Sequence, residues 1–435
     1  MHYTLFGESH GPAVGVLLTD VPPGLPLDEA FIREQLLRRM GQGGLTTARQ
    51  EKEEVHFLSG VYQGRTTGDP LAAVIYNGDV RSADYDSLKH KPRPSHGDYT
   101  AAVRALGCND PRGGGHTSGR LTAPLTVAGA LAITYLKTAH IAVHADVLDE
   151  EALRARAAAA KADGDSVGGV IRCTVSGLPA GLGGPDWRDT VEGTIARHVF
   201  AIPAVKAIGF GAGETFAQMR GSAANDPFTM ARGAVRTATN HAGGVNAGVT
   251  NGMDVVFDVT FRPTPSIAKE QRTVDLTTMT ETTISVPGRH DACIALRAAP
   301  AVESAAALAV CQLLPDTPAD LDGLRCRLDE TDAAILELFD RRQRLSAAIG
   351  AYKSAHGLPV RDKAREAEVL RTRGDMLPER RDQAERLMTL LMALSREEQA
   401  RRGGSSLSVC PPAARPPSAP PCPGRCPCPF TTRTH

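Results

Sequence analysis

Aromatic residues are scarce in this chain. It has one tryptophan, and Phe, Trp and Tyr together make 4% of 435 residues, too few stacking faces for a protein that grips nucleic-acid bases. It also lacks an excess of either charge. Lys+Arg and Asp+Glu each total 49, so neither a polyanion nor an anionic membrane is the expected partner, and any cationic site must be local. No run approaches the roughly 20 apolar residues of a membrane span, and the N-terminus does not read as a signal peptide. Five of the nine cysteines (Cys108, Cys173, Cys293, Cys311 and Cys326) stand far apart, as free thiols in a reducing compartment do. These absences predict a cytoplasmic protein with no membrane or nucleic-acid partner.

What is present divides into three segments. Residues 1–315 carry short apolar runs separated by turn residues, such as Val14–Leu18, Leu71–Tyr76, Gly169–Val175 and Met253–Val259, which read as strands. Helical periodicity over Leu27–Met40, Thr122–Lys137 and Val302–Leu314 makes this a mixed α/β or α+β domain. Gly209-Phe-Gly-Ala-Gly213 has GxGxG rather than GxGxxG spacing, which argues against a dinucleotide site. Residues 316–402 are all helical: a helix opened by Thr317 and Pro318 and closed near Ala355 by Gly357, then Asp362–Arg373, then Pro378–Arg402. The first spans roughly 38 residues, about 57 Å, too long to stand alone in a small domain, which implies a partner chain. Residues 403–435 are Pro- and Cys-rich with no apolar period, the composition of a disordered tail. The spacing of Cys422, Cys426 and Cys428 matches no common zinc site, so no metal is expected.

The chemistry-bearing residues of the first segment lie in punctuated loops. Gly7-Glu-Ser-His-Gly11 sets a hydroxyl, an imidazole and a carboxylate between glycines that permit close approach to a ligand. Further His–Asp pairs occur in Arg93-Pro-Ser-His-Gly-Asp98 and Gly288-Arg-His-Asp291. One loop histidine is usually structural; three beside Arg or Asp suggest a shared acid–base site. Arg38, Arg39, Arg49, Arg65 and Arg120 also lie at or near loops, and arginine is the preferred clamp for phosphate and carboxylate. A small, multiply anionic substrate follows.

In order along the chain, Gly-Glu-Ser-His-Gly, Arg-Pro-x-His-x-Asp-Tyr, Arg112-Gly-Gly-Gly-His-Thr-Ser-Gly-Arg120, Asn240-His-Ala-Gly-Gly244 and Gly-Arg-His-Asp-x-Cys293 closely resemble chorismate synthase over about residues 3–315. The resemblance implies an α+β fold, a β-α-β sandwich. It also implies a 1,4-elimination of phosphate and a ring proton from 5-enolpyruvylshikimate-3-phosphate, assisted by reduced FMN. NADPH as the flavin's reductant and an external reductase both stay open. By the same resemblance His10 stands at the leaving phosphate, His96 near the flavin ring and Asp291 near its reactive nitrogen. Ser9, Arg38, Arg39, Arg49, Arg65, Arg93, Arg120 and Arg289 form the substrate clamp. Thr117, Ser118, Ala247, Arg262, Thr264, Ser266 and Arg289 contact FMN. The chain departs from many relatives at Gly44, Ala247 and Ala292, and it starts a few residues late, so a short first strand is expected.

In the helical segment Arg342 and Lys353 fall about 20° apart round the axis, sharing a stripe with Ser346 and Ile349. Arg325 is roughly 260° from Arg342, so on a straight helix the two serve different sites, which hints at a site shared between chains. Ser395 and Gln399 share a face at i, i+4. Leu324-Arg325 with Asp329 and Asp332, then Arg341-Arg342, Ile349-Gly-Ala-Tyr-Lys353 and Pro359–Glu366 resemble the all-helical chorismate mutase family over about 319–400. That implies a three-helix intertwined dimer and the rearrangement of chorismate to prephenate. Arg342, Lys353, Glu366 and Gln399 would be catalytic, and Asp362, Arg365, Ser395 and Arg325 of the neighbouring chain would bind substrate. The resemblances together imply a bifunctional homo-oligomer, mutase dimers joined to a synthase tetramer. The alternative is a synthase whose helical segment only dimerises or senses a ligand.

Overall fold

A computed structural model describes residues 1–40, 44–46, 53–78, 90–184, 186–231, 234–286, 290–314 and 321–403, with backbone alone at 321–327, 329–330, 334 and 401–403. Arg49, Arg289, the side chain of Arg325, the Thr317–Pro318 helix opening and the Cys-bearing tail fall outside the described residues. The chain divides into two compact units, Met1–Asp316 and Thr317–His435.

The first unit is built on two antiparallel four-stranded sheets. One contains β1 (His2–Gly7), β2 (Ala13–Thr19), β3 (Val55–Ser59) and β4 (Leu71–Tyr76), in the order β1-β2-β4-β3. The other contains β5 (Ala142–Val147), β6 (Gly169–Ser176), β7 (Val205–Phe210) and β8 (Val255–Phe261), in the order β5-β6-β8-β7. Along β6, Ile171, Cys173 and Val175 are buried while Arg172 and Thr174 are not, the period-2 pattern of a sheet covered on one face.

The helices of this unit are α1 (Glu29–Met40), α2 (Asp98–Arg104), α3 (Thr122–Thr138), α4 (Glu150–Ala162), α5 (Val191–Phe200), α6 (Gly221–Ala224) and α7 (Ala299–Leu313). α3 and α7 are buried almost all round, as expected of helices with no polar face. They pack on each other, α3 against β2 and β4 and α7 against β5 and β6, flanked by α1 and α5. Small residues permit the close crossing: a Cβ at Gly129 would overlap Ser304. A helical layer between two sheets is the expected β-α-β sandwich.

Local differences have local causes. β1 is six residues long and paired throughout with β2. The strand expected from Met253 begins at Val255, because the Met253 N–H is taken by Asn251 Oδ1 and the Asp254 carbonyl by Asn240 Nδ2. After Phe210 the chain enters a 3-10 turn at Gly213–Gln218 rather than a phosphate-cradling α-helix.

The second unit contains α8 (Leu321–Ala355, 35 residues), α9 (Lys363–Gly374) and α10 (Arg381–Gly403). Gly357 ends α8 in the left-handed region at φ 64°, where glycine is favoured. The Pro378–Arg380 segment, expected inside the last helix, is a separate 3-10 turn. α10 packs on both α8 and α9. Among the described residues no helix is long and apolar enough to cross a membrane.

Candidate active sites

The Gly7–Gly11 loop leaves β1 and turns so that Ser9 and His10, 1% and 7% exposed, face inward. Ser9 Oγ lies 2.9 Å from His10 Nδ1. Two loops close over them. Gly113, Gly114 and Gly115 all have positive φ (63°, 98° and 52°), and a Cβ at Gly113 would overlap both His10 and Ser9. A Cβ at Gly114 would lie 3.2 Å from His96 Cε1, so the glycine run is the floor that joins the two histidines. The Ser9 N–H donates to Gly115 O (3.2 Å), and His116 Nδ1 meets Gly7 O at 3.0 Å.

Around His96 the Arg93–Asp98 loop is tightly wired. Arg93 donates through Nε and NH2 to both oxygens of Asp98, at 2.8 Å each, and through NH1 to Ser266 Oγ at 3.1 Å. His96 Nδ1 lies 2.7 Å from Asp98 Oδ1. Burial by itself would raise Asp98, but hydrogen bonds from Arg93 and His96 outweigh it and hold the carboxyl well below the usual range. Thr117 Oγ1 donates to Gly114 O, and Ser118 Oγ accepts from the Arg120 N–H.

A buried charge cluster borders the loop on another side. Glu53 Oε1 accepts from both Arg39 NH2 and Arg120 NH1. Arg120 Nε donates to Asn77 Oδ1 (3.0 Å), and Asn77 Nδ2 donates to the carbonyls of Glu8 (3.0 Å) and Gly11 (2.9 Å). The cations are thereby tied to the Ser9–His10 backbone. Burial pushes Arg39 down to about 10, opposed by Glu53 and reinforced by Arg297 and Arg120, so it is still charged at neutral pH. Glu53 and Asn77 carried no sequence signal. Glu53 lies in the charged run Gln50–Glu54, which reads as a solvated face.

Other expected residues lie elsewhere or have other partners. Arg38 makes a bidentate pair with Glu303 (2.7 and 3.0 Å), which is 2% exposed; it serves the helical layer, not the Ser9–His10 cluster. Arg65 is exposed on a small hairpin and donates to Gly24 O. Ala247, at φ 52°, sits in a turn whose hydrogen bonds run to residues 181–191. Asp291 is held by Arg297 through two bonds, 2.9 and 2.8 Å. Ser266 reaches the site through Arg93. Thr264 Oγ1 and His290 Nε2 are buried without hydrogen-bond partners among the described residues, and burial lowers Arg262. Polar atoms left this way fit a polar cofactor against them.

In the second unit a polar seam joins α8 and α10. Arg342 NH1 donates to Leu391 O (2.8 Å) and to Ser395 Oγ, and Ser346 Oγ lies 3.0 Å from Ser395 Oγ. Burial lowers Arg342. A Cβ at Gly350 would stand 2.9 Å from Gln399 Cα, so the helices cross there. Gly350 takes the contact, while Ile349, expected on that stripe, is 50% exposed. Gln399 Oε1 is buried without a partner among the described residues. Lys353 Nζ donates to Val360 O (2.7 Å), Asp362 caps α9 through the Arg365 N–H, and Arg365 pairs with Glu368. Glu366 pairs with Arg396 and Arg361, and the Arg396 bond chiefly lowers it.

Comparison with known proteins places both units. The chorismate synthase family model matches residues 1–314, and the model for chorismate mutase type II matches residues 324–400. A chorismate synthase of Thermococcus kodakarensis is 42% identical over 341 residues, covering 71% of this chain and 94% of that protein. One from Chitinophaga pinensis is 45% identical over 317 residues, covering 71% and 93%. A chorismate synthase crystal structure shares the fold at TM-score 0.58 and 22% identity, covering 76% of this chain and 96% of that one.

Proposed function

Since the chain belongs to the chorismate synthase family and carries a chorismate mutase type II unit behind it, we propose that it makes chorismate in residues 1–315 and converts it to prephenate in 316–402. The observation that carries the first half is the convergence of three loops, Ser9–His10, Arg93–Asp98 and Gly113–Arg120, beside the Arg39–Arg120 pair.

In the synthase reading, Arg39 and Arg120 take the phosphate of 5-enolpyruvylshikimate-3-phosphate, with Arg49 and Arg289 completing the clamp. His10, its ring fixed by Ser9, gives a proton to the departing phosphate. Cations and an acid at the leaving oxygens stabilise charge as it develops there. Reduced FMN, when bound, lends electron density to the substrate as phosphate leaves. Thr117, Ser118, Thr264, Ser266 and Arg262 are the residues to hold it, which the orphaned Thr264 and His290 atoms support. Asp98 keeps His96 oriented for proton exchange at that face.

In the mutase reading, Arg342 and Ser395 hold a carboxylate of chorismate, and Lys353 and Gln399 favour the ether oxygen as its charge grows. A helical segment that only dimerised would gain nothing from a buried, unpaired Gln399 oxygen. Association is nonetheless part of the reading: Leu328, Ile335, Leu336, Leu338 and Leu345 on α8 are each at least 55% exposed, an apolar face that suits an intertwined partner. The test is prephenate formation from chorismate by the purified protein. Turnover that Arg342→Ala abolishes supports the reading, and absence of turnover leaves only the synthase.

A further inference from the structure

Glu53 is a carboxylate placed where a site for a phosphorylated substrate has least use for one. Its side chain is 6% exposed and its Oε1 is shared by Arg39 and Arg120, whose side chains are 6% and 4% exposed. Among the described residues, two guanidiniums against one carboxylate leave a positive charge uncompensated. Three atoms of this triad, Glu53 Oε2, Arg39 Nε and Arg120 NH2, are buried without hydrogen-bond partners among the described residues. The remaining contacts are made: Arg39 NH1 donates to Thr122 Oγ1 and Arg120 Nε to Asn77 Oδ1. Buried donors without acceptors are destabilising and rare. Two of them on the cations of one cluster mark an arrangement made for an anion that brings acceptors with it.

We propose that Glu53 is a built-in counter-anion, a positioning residue that keeps Arg39 and Arg120 forked and paired between turnovers and loosens their hold on the inorganic phosphate left by the elimination. It acts through the two arginines and touches no substrate. The identity of the anion rests on the synthase reading; the electrostatics do not. An incoming phosphate must part the closed triad to supply acceptors to Arg39 Nε and Arg120 NH2, and it is repelled by the carboxylate between them, a repulsion poorly screened where water is excluded. A merely structural Glu53 predicts the opposite sign, since losing it would disorder the arginines and weaken every anion.

The experiment is calorimetric titration of the full-length protein with inorganic phosphate, beside steady-state kinetics. Glu53→Gln is expected to bind phosphate about tenfold tighter, with KM and kcat both falling because the substrate is held better and the product leaves more slowly. Glu53→Asp keeps the charge and is expected within about twofold of the unaltered protein. A folded Glu53→Gln that binds phosphate equally or more weakly overturns the proposal. If that variant does not fold, Glu53→Ala, which removes the carboxylate and leaves both arginines in place, is titrated instead; tighter phosphate binding is again expected, and equal or weaker binding overturns the proposal. Elimination by the unaltered protein with reduced FMN separates the two readings. Turnover with unchanged phosphate affinity in Glu53→Gln removes the counter-anion alone. Tighter phosphate with no turnover keeps the counter-anion and removes the synthase.

Discussion

Asp98 holds Arg93 and His96 at once, 12% exposed at its side chain, so its ionisation is linked to the stability of the loop that carries both. Its carboxyl lies below the ordinary range when folded. The stabilisation is therefore fully present above the unfolded value of about 3.9 and is lost as pH falls toward the folded one. Asp98→Asn should cost roughly 2–4 kcal/mol near neutral pH. In urea unfolding the gap between variant and unaltered protein should narrow below about pH 4; a gap independent of pH would remove the linkage. His10→Ala should lower phosphate elimination about 10²–10⁴-fold with reduced FMN supplied, leaving the chorismate-to-prephenate rate alone; undiminished elimination would deny His10 its role. The sequence exposed these histidines because glycines and prolines punctuate their loops. It could not separate Arg38 from Arg39. Neighbours on a helix diverge by about 100°, and one turns to Glu303 while the other meets Glu53. Glu303 lies 265 residues away, a pairing that only the folded core creates.

At the scale of elements, the glycine run between Arg112 and Arg120 is under the strictest demand. Gly113 combines a left-handed backbone at φ 63° with contact against both Ser9 and His10. Gly113→Ala should therefore cost about 1–3 kcal/mol in backbone strain and displace His10, losing elimination activity before secondary structure, as circular dichroism and kinetics together would show. Unchanged elimination in that variant would mean the floor is not closed on His10. Gly350 is the counterpart in the second unit, where a methyl would press on Gln399 at the α8–α10 crossing. The framework was largely legible, because continuous apolar runs mark α3 and α7 and alternation marks β6. Boundaries were less so, since side-chain bonds such as that from Asn251 to the Met253 N–H set where β8 begins. The layered sheet order was invisible locally, because pairings such as β4 between β2 and β3 depend on closure over long stretches of chain.

At the scale of the whole molecule, the length of α8 matters most. Its 35 residues extend about 52 Å, and Leu336, Leu338 and Leu345 along it are 61–65% exposed. A helix that leaves this much apolar surface in water suits the second copy we propose for it. A spacing of 17 residues sets Arg325 and Arg342 roughly 260° apart round a straight helix, so in the intertwined dimer we propose each mutase site would draw Arg342 from one chain and Arg325 from the other. Arg325→Ala and Arg342→Ala should then each be inactive toward chorismate as separate proteins. Mixed, unfolded and refolded together, half of the dimers are heterodimers, and each of these has one site with both arginines intact. About one quarter of the unaltered mutase activity should return, while phosphate elimination by the first unit stays unchanged throughout. Recovery near zero would place Arg325 and Arg342 in the same site of one chain, and the partner's contribution would be lost from the mechanism.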